Sequence, residues 1–176
     1  MPKLTRLAGP VLAGLALLPL ALPGQDEGHP EADPADVASI EAIVGAMYDV
    51  VSGPAGERDW KRFESLFVEE VGRFTPIAPG GTHVESWTPR DYQARLGAFY
   101  MQNAAYTKEI ATRVERFGPL AQVFSTYEIR KAPEAEAAQR GIHGIQLFFD
   151  GQRWWILSVA LAGESESQPI PAQYLK

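Results

Sequence analysis

The chain has 176 residues, a length that fits one domain built on one hydrophobic core. It carries 22 acidic residues against 16 basic ones, a formal charge of −6, and no cluster of Lys or Arg, so no nucleic-acid partner is expected. The absence of cysteine excludes disulfides, a thiol nucleophile and a lipid carried on an N-terminal cysteine, and leaves stability to packing alone.

Lys3 and Arg6 precede the uncharged run "LAGPVLAGLALLPLAL", residues 7–22. A basic start and a short apolar stretch predict a secretory signal over residues 1–24, hence export to the periplasm or the extracellular space. The run is interrupted by Pro10 and Pro19 and is shorter than the roughly 20 residues a spanning helix needs, so no stable membrane anchor is expected after cleavage. Losing Lys3 and Arg6 with the signal takes the basic count from 16 to 14 against 22 acidic residues, a formal charge of −8. "QDEGHPEADP", residues 25–34, predicts a disordered linker in which His29 is solvated, and residues 35–176 are expected to form the folded domain.

Asp33 can cap a first helix with Pro34 at its first position, and Val37, Ile40, Val44, Met47 and Val51 recur at helical spacing until Ser52-Gly53-Pro54 ends it. The stretch "YDVVSGPAGERDWKRFESLF", residues 48–67, then turns into a second helix capped by Asp59. That helix sets Trp60, Phe63 and Phe67 on one face and Lys61, Arg62 and Glu64 on the other. The aromatic residues around this turn are either plugs in a core or the wall of a cavity. "VGRFTPIAPGGTHVESW" predicts a short strand, a loop and a second short strand. Thr88-Pro89-Arg90-Asp91 opens a third helix whose apolar stripe is Tyr92, Leu96, Phe99 and Tyr100.

After Asn103 the period changes to two. "YTKEIATRVERF", the turn Gly118-Pro119, "LAQVFSTYEIRK", a charged loop over residues 132–140, "GIHGIQLFF", Asp150-Gly151 and "QRWWILSVAL" read as four strands in a meander. Asp-Gly between apolar strands predicts a two-residue hairpin. Phe149 then pairs with Gln152, His143 faces Ser158, Ile145 faces Ile156, and Leu147 faces Trp154. Both faces of this hairpin are largely apolar. One is expected under the helices, the other under residues 162–176 or a second copy of the chain in a homodimer that packs sheet on sheet.

Three helices followed by a long-stranded meander, with the segments "MYDVVSGPAGERDWKRFESLF", "VERFGPLAQVFSTYEIR", "GIQLFFDGQRWWILSVAL" and "PIPAQYL", resemble the NTF2-like or SnoaL-like superfamily over residues 36–175. The resemblance implies an α+β cone, with the helices packed on a curved, mostly antiparallel sheet and a pocket at its wide end. It also implies activities as different as isomerases, dehydratases, cyclases and epoxide hydrolases, or none, so function must be read from the site.

For such a pocket the wall expected from the sequence is Tyr48, Trp60, Phe63, Ser125, Tyr127, His143 and Ser158, suited to a small hydrophobic ligand. On the second of the four strands, "LAQVFSTYEIRK", Val123, Ser125, Tyr127 and Ile129 share the inward parity, and Glu128 points away with Arg130. The enzymatic alternative uses His143 as base with Tyr127 or Tyr48 as proton donor. Asp59 reads as a cap, Asp150 as a turn residue, His83 as solvated, and Glu109 as a surface or ion-pair residue, so no inward acid is expected. No spacing suggests a metal, cofactor, phosphate loop or Ser/His/Asp set.

Overall fold

A computed structural model of the chain describes residues 28–176. The predicted signal and the start of the predicted linker lie outside the described residues. Residues 28–33 have no regular structure, and His29, expected in solvent, lies against Trp155 with ring centroids 5.9 Å apart. Its flat ring covers the indole, which is the physical reason it leaves water. Asp33 caps only a 3₁₀ turn, Pro34–Val37, by accepting from the Ala35 amide at 2.8 Å. Ser39 then caps a separate helix, α1 (Ile40–Val51), so the single helix expected from Pro34 is two pieces. A second side chain able to hold the helical amides gave the backbone a place to stop and restart.

Helix α2 (Trp60–Ser65) is capped by Asp59, which accepts from the Arg62 amide at 2.9 Å. Arg62 fastens it to the preceding elements through Asp36 at 2.7 Å and Asp49 at 2.5 Å. Between α1 and α2 the loop is pinned from both sides. Gly53 and Ala105 exchange amide bonds at 2.8 and 2.9 Å, and Arg58 donates to the carbonyls of Pro54 and Gly53. Strand β1 (Arg73–Ile77) follows, and the second short strand expected near it is reduced to bridges of Phe74 with Trp87 and Ile77 with Val84. Helix α3 (Pro89–Gln102) opens with the reciprocal Thr88–Asp91 capping box that its sequence predicts.

The meander is β2 (Tyr106–Phe117), β3 (Leu120–Arg130), β4 (Ala137–Phe149) and β5 (Trp154–Gly163). The sheet order is β1-β5-β4-β3-β2, antiparallel except for β1, which lies parallel beside β5. The fold is therefore the expected α+β arrangement of helices on a mostly antiparallel sheet. Strand β4 begins at Ala137, so the loop expected to run to residue 140 is shorter.

The β4–β5 register departs from the two-residue hairpin. Asp150 accepts from the amides of Gln152 and Arg153 at 2.7 and 2.8 Å, widening the turn to residues 150–153, with Gly151 at φ 101°. A carboxylate that captures the next amides competes with the tight turn. Phe149 pairs with Trp154 and Leu147 with Ile156, and after a bulge Gln146 pairs with Ser158 and His143 with Leu161. Ser158 thus shares the outer face with Gln146, to which its hydroxyl donates at 3.1 Å, and does not face His143.

The core sits between α1, α2 and the inner face of the sheet. Leu66, Phe67, Ile145, Leu147 and Ile156 are fully enclosed there. On the outer face the tail contributes a partial cover: Tyr174 stacks on Phe124 at 5.5 Å and its carbonyl accepts from Thr126 at 2.6 Å.

Candidate functional site

At the wide end of the cone the helices and the sheet do not meet, and a cavity of about 720 Å³ remains. Met47, Tyr48 and Val51 from α1, Phe63 from α2, Tyr92, Leu96, Phe99 and Tyr100 from α3, and Tyr127, Ile129, His143 and Leu161 from the sheet line it. Gln102, Asn103, Lys131 and Gln139 add polar groups to the same lining, as does Arg130, expected to point away, where the register shifts between Ile129 and Arg130.

Of the wall expected from the sequence, the structure brings Tyr48, Phe63, Tyr127 and His143 together here. Trp60 stands outside, because α2 starts at that residue and its first side chain points to the outer groove with Arg90, Gln93 and Met101. It backs the wall, with its ring 5.9 Å from Tyr100 and 6.3 Å from Tyr92. Ser125 is fully buried behind Tyr48 and does not line the cavity, and Ser158 lies on the other face of the sheet.

A chain of hydrogen bonds runs from the cavity into the sheet. The Tyr48 hydroxyl is 2.9 Å from His143 Nδ1 and 2.7 Å from Ser125 Oγ, and Ser125 donates to Glu109 Oε1 at 2.5 Å. Counting hydrogens fixes its direction. The single Ser125 hydrogen goes to the carboxylate, so Tyr48 donates to Ser125 and His143 Nδ1–H donates to Tyr48. This leaves Nε2 as the unprotonated ring nitrogen, without a hydrogen-bond partner among the described residues. Burial lowers the His143 pKa from 6.5 to about 3, keeping the imidazole neutral. The Tyr48 hydroxyl is pushed well above its ordinary range, first by burial and further by the Glu109 charge, so it keeps its proton.

Glu109, read as a surface or ion-pair residue, is half-buried and turns inward, against the expectation of no inward acid. A bulge between Glu109 and Ala111 exchanges the two faces of β2, placing Glu109 opposite Tyr127 on the inner side. Period-two reading favours the parity of Ile110 and Val114, yet both are exposed.

The His143 ring is held between aromatic neighbours. Tyr127 stacks on it at 4.4 Å and 15°, and Phe74 meets it edge-on at 5.9 Å. Burial pushes the Tyr127 hydroxyl up to about 12, and that oxygen accepts from Gln139 Nε2 at 3.5 Å. The stack needs Gly141, since a Cβ there would stand 2.6 Å from the Tyr127 hydroxyl and 2.5 Å from the Ala162 carbonyl.

Across the cavity, Tyr92 and Tyr100 share a hydrogen bond at 2.9 Å. Sequence reading placed both in the stripe of α3 but not in the site; their spacing of eight residues puts both hydroxyls on one helix face. Behind Tyr100 lies Arg58, buried, with its guanidinium 5.0 Å from the ring centre. Burial raises the Tyr100 pKa, and the Arg58 cation works against that rise.

No protein-family model matches the chain, and no curated protein matches it. Solved structures do. A protein of unknown function with a cystatin-like fold from Nostoc punctiforme superposes with a TM-score of 0.58 at 8% identity, covering 73% of this chain and 91% of its own. A candidate dehydratase of the NTF2-like family from Streptomyces avermitilis gives 0.54 at 16% identity, covering 74% of this chain and 96% of its own. An NTF2-like protein of unknown function from Silicibacter pomeroyi gives 0.50 at 14% identity, covering 72% and 94%. At these identities the likeness is one of fold, and it agrees with the element order and the cavity at the wide end: the chain has an NTF2-like fold.

Proposed function

We propose that this chain is an exported protein whose cavity binds a small hydrophobic molecule. The observation that carries the reading is a cavity of about 720 Å³ walled by Tyr, Phe, Leu and Ile side chains around one neutral His. Filling the cavity tests it. Ile129→Trp should abolish binding of naphthalene in a titration of the exported protein while the melting transition is retained; unchanged binding would refute it. Export is supported by the basic start and the short apolar run, and mass spectrometry of the secreted chain should find an N-terminus near residues 21–25. A homodimer packed sheet on sheet is supported by Phe124 and Phe148, 40% and 39% exposed on the outer face. It should bury more than about 1,000 Å² and appear as a dimer in light scattering.

A second reading, proton-transfer chemistry of the isomerase or dehydratase type, is favoured by one specific observation: the chain from Glu109 through Ser125 and Tyr48 to His143. The carboxylate at its far end orients the ring through Ser125 and Tyr48 so that the Nε2 lone pair is the free one, which is the geometry a general base requires. In that case His143→Ala would lower turnover by about 10²- to 10⁴-fold with binding retained. The pure binding reading requires no turnover in either protein.

A further inference from the structure

The cavity is electrically asymmetric. At one end Glu109 stands behind Ser125 and Tyr48, and the group presented to the cavity is the lone pair of His143 Nε2. At the other end stands Arg58, 8% exposed and without a carboxylate in ion-pair range among the described residues. Its guanidinium donates to two backbone carbonyls and lies against Tyr100, while its Nε–H is buried with no partner.

The Tyr92–Tyr100 pair has two hydroxyl hydrogens and one mutual bond, with no other partner among the described residues. Whichever of the two donates, one O–H remains free. Phe74 contacts both ends, 5.9 Å from the His143 ring and 4.7 Å from the Tyr92 ring, and offers an aromatic wall to a ligand ring.

Resting on the binding reading above, we propose that the cavity selects a ring compound carrying a carbonyl oxygen at one end, bound by the Tyr92–Tyr100 pair, and a hydroxyl at the other, donated to His143 Nε2. Hydroxyaryl ketones have this pattern. Arg58 acts as a positioning residue: it touches no ligand and strengthens the Tyr100 donor through its field.

Calorimetric titration of the exported protein with para-hydroxyacetophenone, para-methoxyacetophenone, which cannot donate, and para-ethylphenol, which has no carbonyl, tests this. The first should bind about fivefold more tightly than either of the others, the worth of one neutral hydrogen bond. Tyr92→Phe combined with Tyr100→Phe should remove that advantage over para-ethylphenol and leave para-ethylphenol itself unchanged. Each single change should cost less, because the remaining hydroxyl keeps its hydrogen. His143→Phe should remove the advantage over para-methoxyacetophenone only. The wild-type comparison decides even if a variant fails to fold. Equal affinities for the three probes, or binding of naphthalene alone, would overturn the proposal and leave the cavity reading standing. Failure of naphthalene as well would overturn both.

Discussion

The narrow and wide ends of the cone are built from the same strands and treat space in opposite ways. In β3 and β4 the narrow end carries Ala121, Val123, Ile145 and Leu147, all at 0–1% exposure and closed against Phe67 and Ile156. Two residues further along each strand stand Ser125 and Tyr127, and His143 and Gly141, and there the cavity opens. Larger side chains leave more empty space because they are held upright. Aliphatic residues slide until voids close, whereas the Tyr48 hydroxyl is fixed between His143 and Ser125, and the Tyr127 ring against His143. Apolar packing makes the stability of this protein and a polar chain keeps its cavity open.

That contrast predicts a separation of effects. Leu147→Ala at the narrow end should show the largest loss, about 2–5 kcal/mol in denaturant unfolding, with naphthalene binding unchanged. Gly141→Ala at the wide end forces a Cβ against the Ala162 carbonyl and the Tyr127 hydroxyl. Displacing backbone in this way should cost about 1–3 kcal/mol, and, unlike the first change, should weaken binding, as titration of the same samples will show. Tyr48→Phe keeps the ring and deletes the relay, leaving Ser125 and His143 each one partner short. A loss of about 1–2 kcal/mol is expected by thermal melting, together with altered binding of para-hydroxyacetophenone.

The meander, the caps at Asp59 and Thr88 and the inward parity of β3 were legible, since each rests on local chemistry: a carboxylate or hydroxyl before a helix, or alternation along a strand. Half of the site was legible too, because Tyr48, Phe63, Tyr127 and His143 lie on apolar faces of regular elements. What escaped depended on interruptions of regularity. The bulge beside Glu109 is marked by no glycine, nor is the bulge between Gln146 and Leu147 that turned Ser158 outward, and Trp60 fell outside because its helix begins at that very residue. Arg58 lies in a loop, and nothing local distinguishes a buried loop arginine from a solvated one.

A further separation is expected in pH dependence. Because burial lowers the folded-state pKa of His143 from 6.5 to about 3, the unfolded chain binds a proton between these values that the folded chain does not. Stability therefore rises with pH across that window, by about 1.4 kcal/mol per pH unit for one proton, and is lost as pH falls toward its lower edge. Asp36, held below the usual carboxylate range by its bond to Arg62, adds to the slope only at lower pH. Unfolding curves between about pH 4.5 and 6.5 should accordingly be flatter in His143→Asn than in the parent chain.

The state of His143 carries the whole account of the wide end, and imidazole nitrogen NMR of the labelled protein reads it directly. The expected spectrum shows a neutral ring with the hydrogen on Nδ1 from neutral pH down to about pH 5, and an Nε2 signal that shifts when para-hydroxyacetophenone is added. A ring protonated on Nε2, or one that titrates near its ordinary value and ignores the probe, would contradict it.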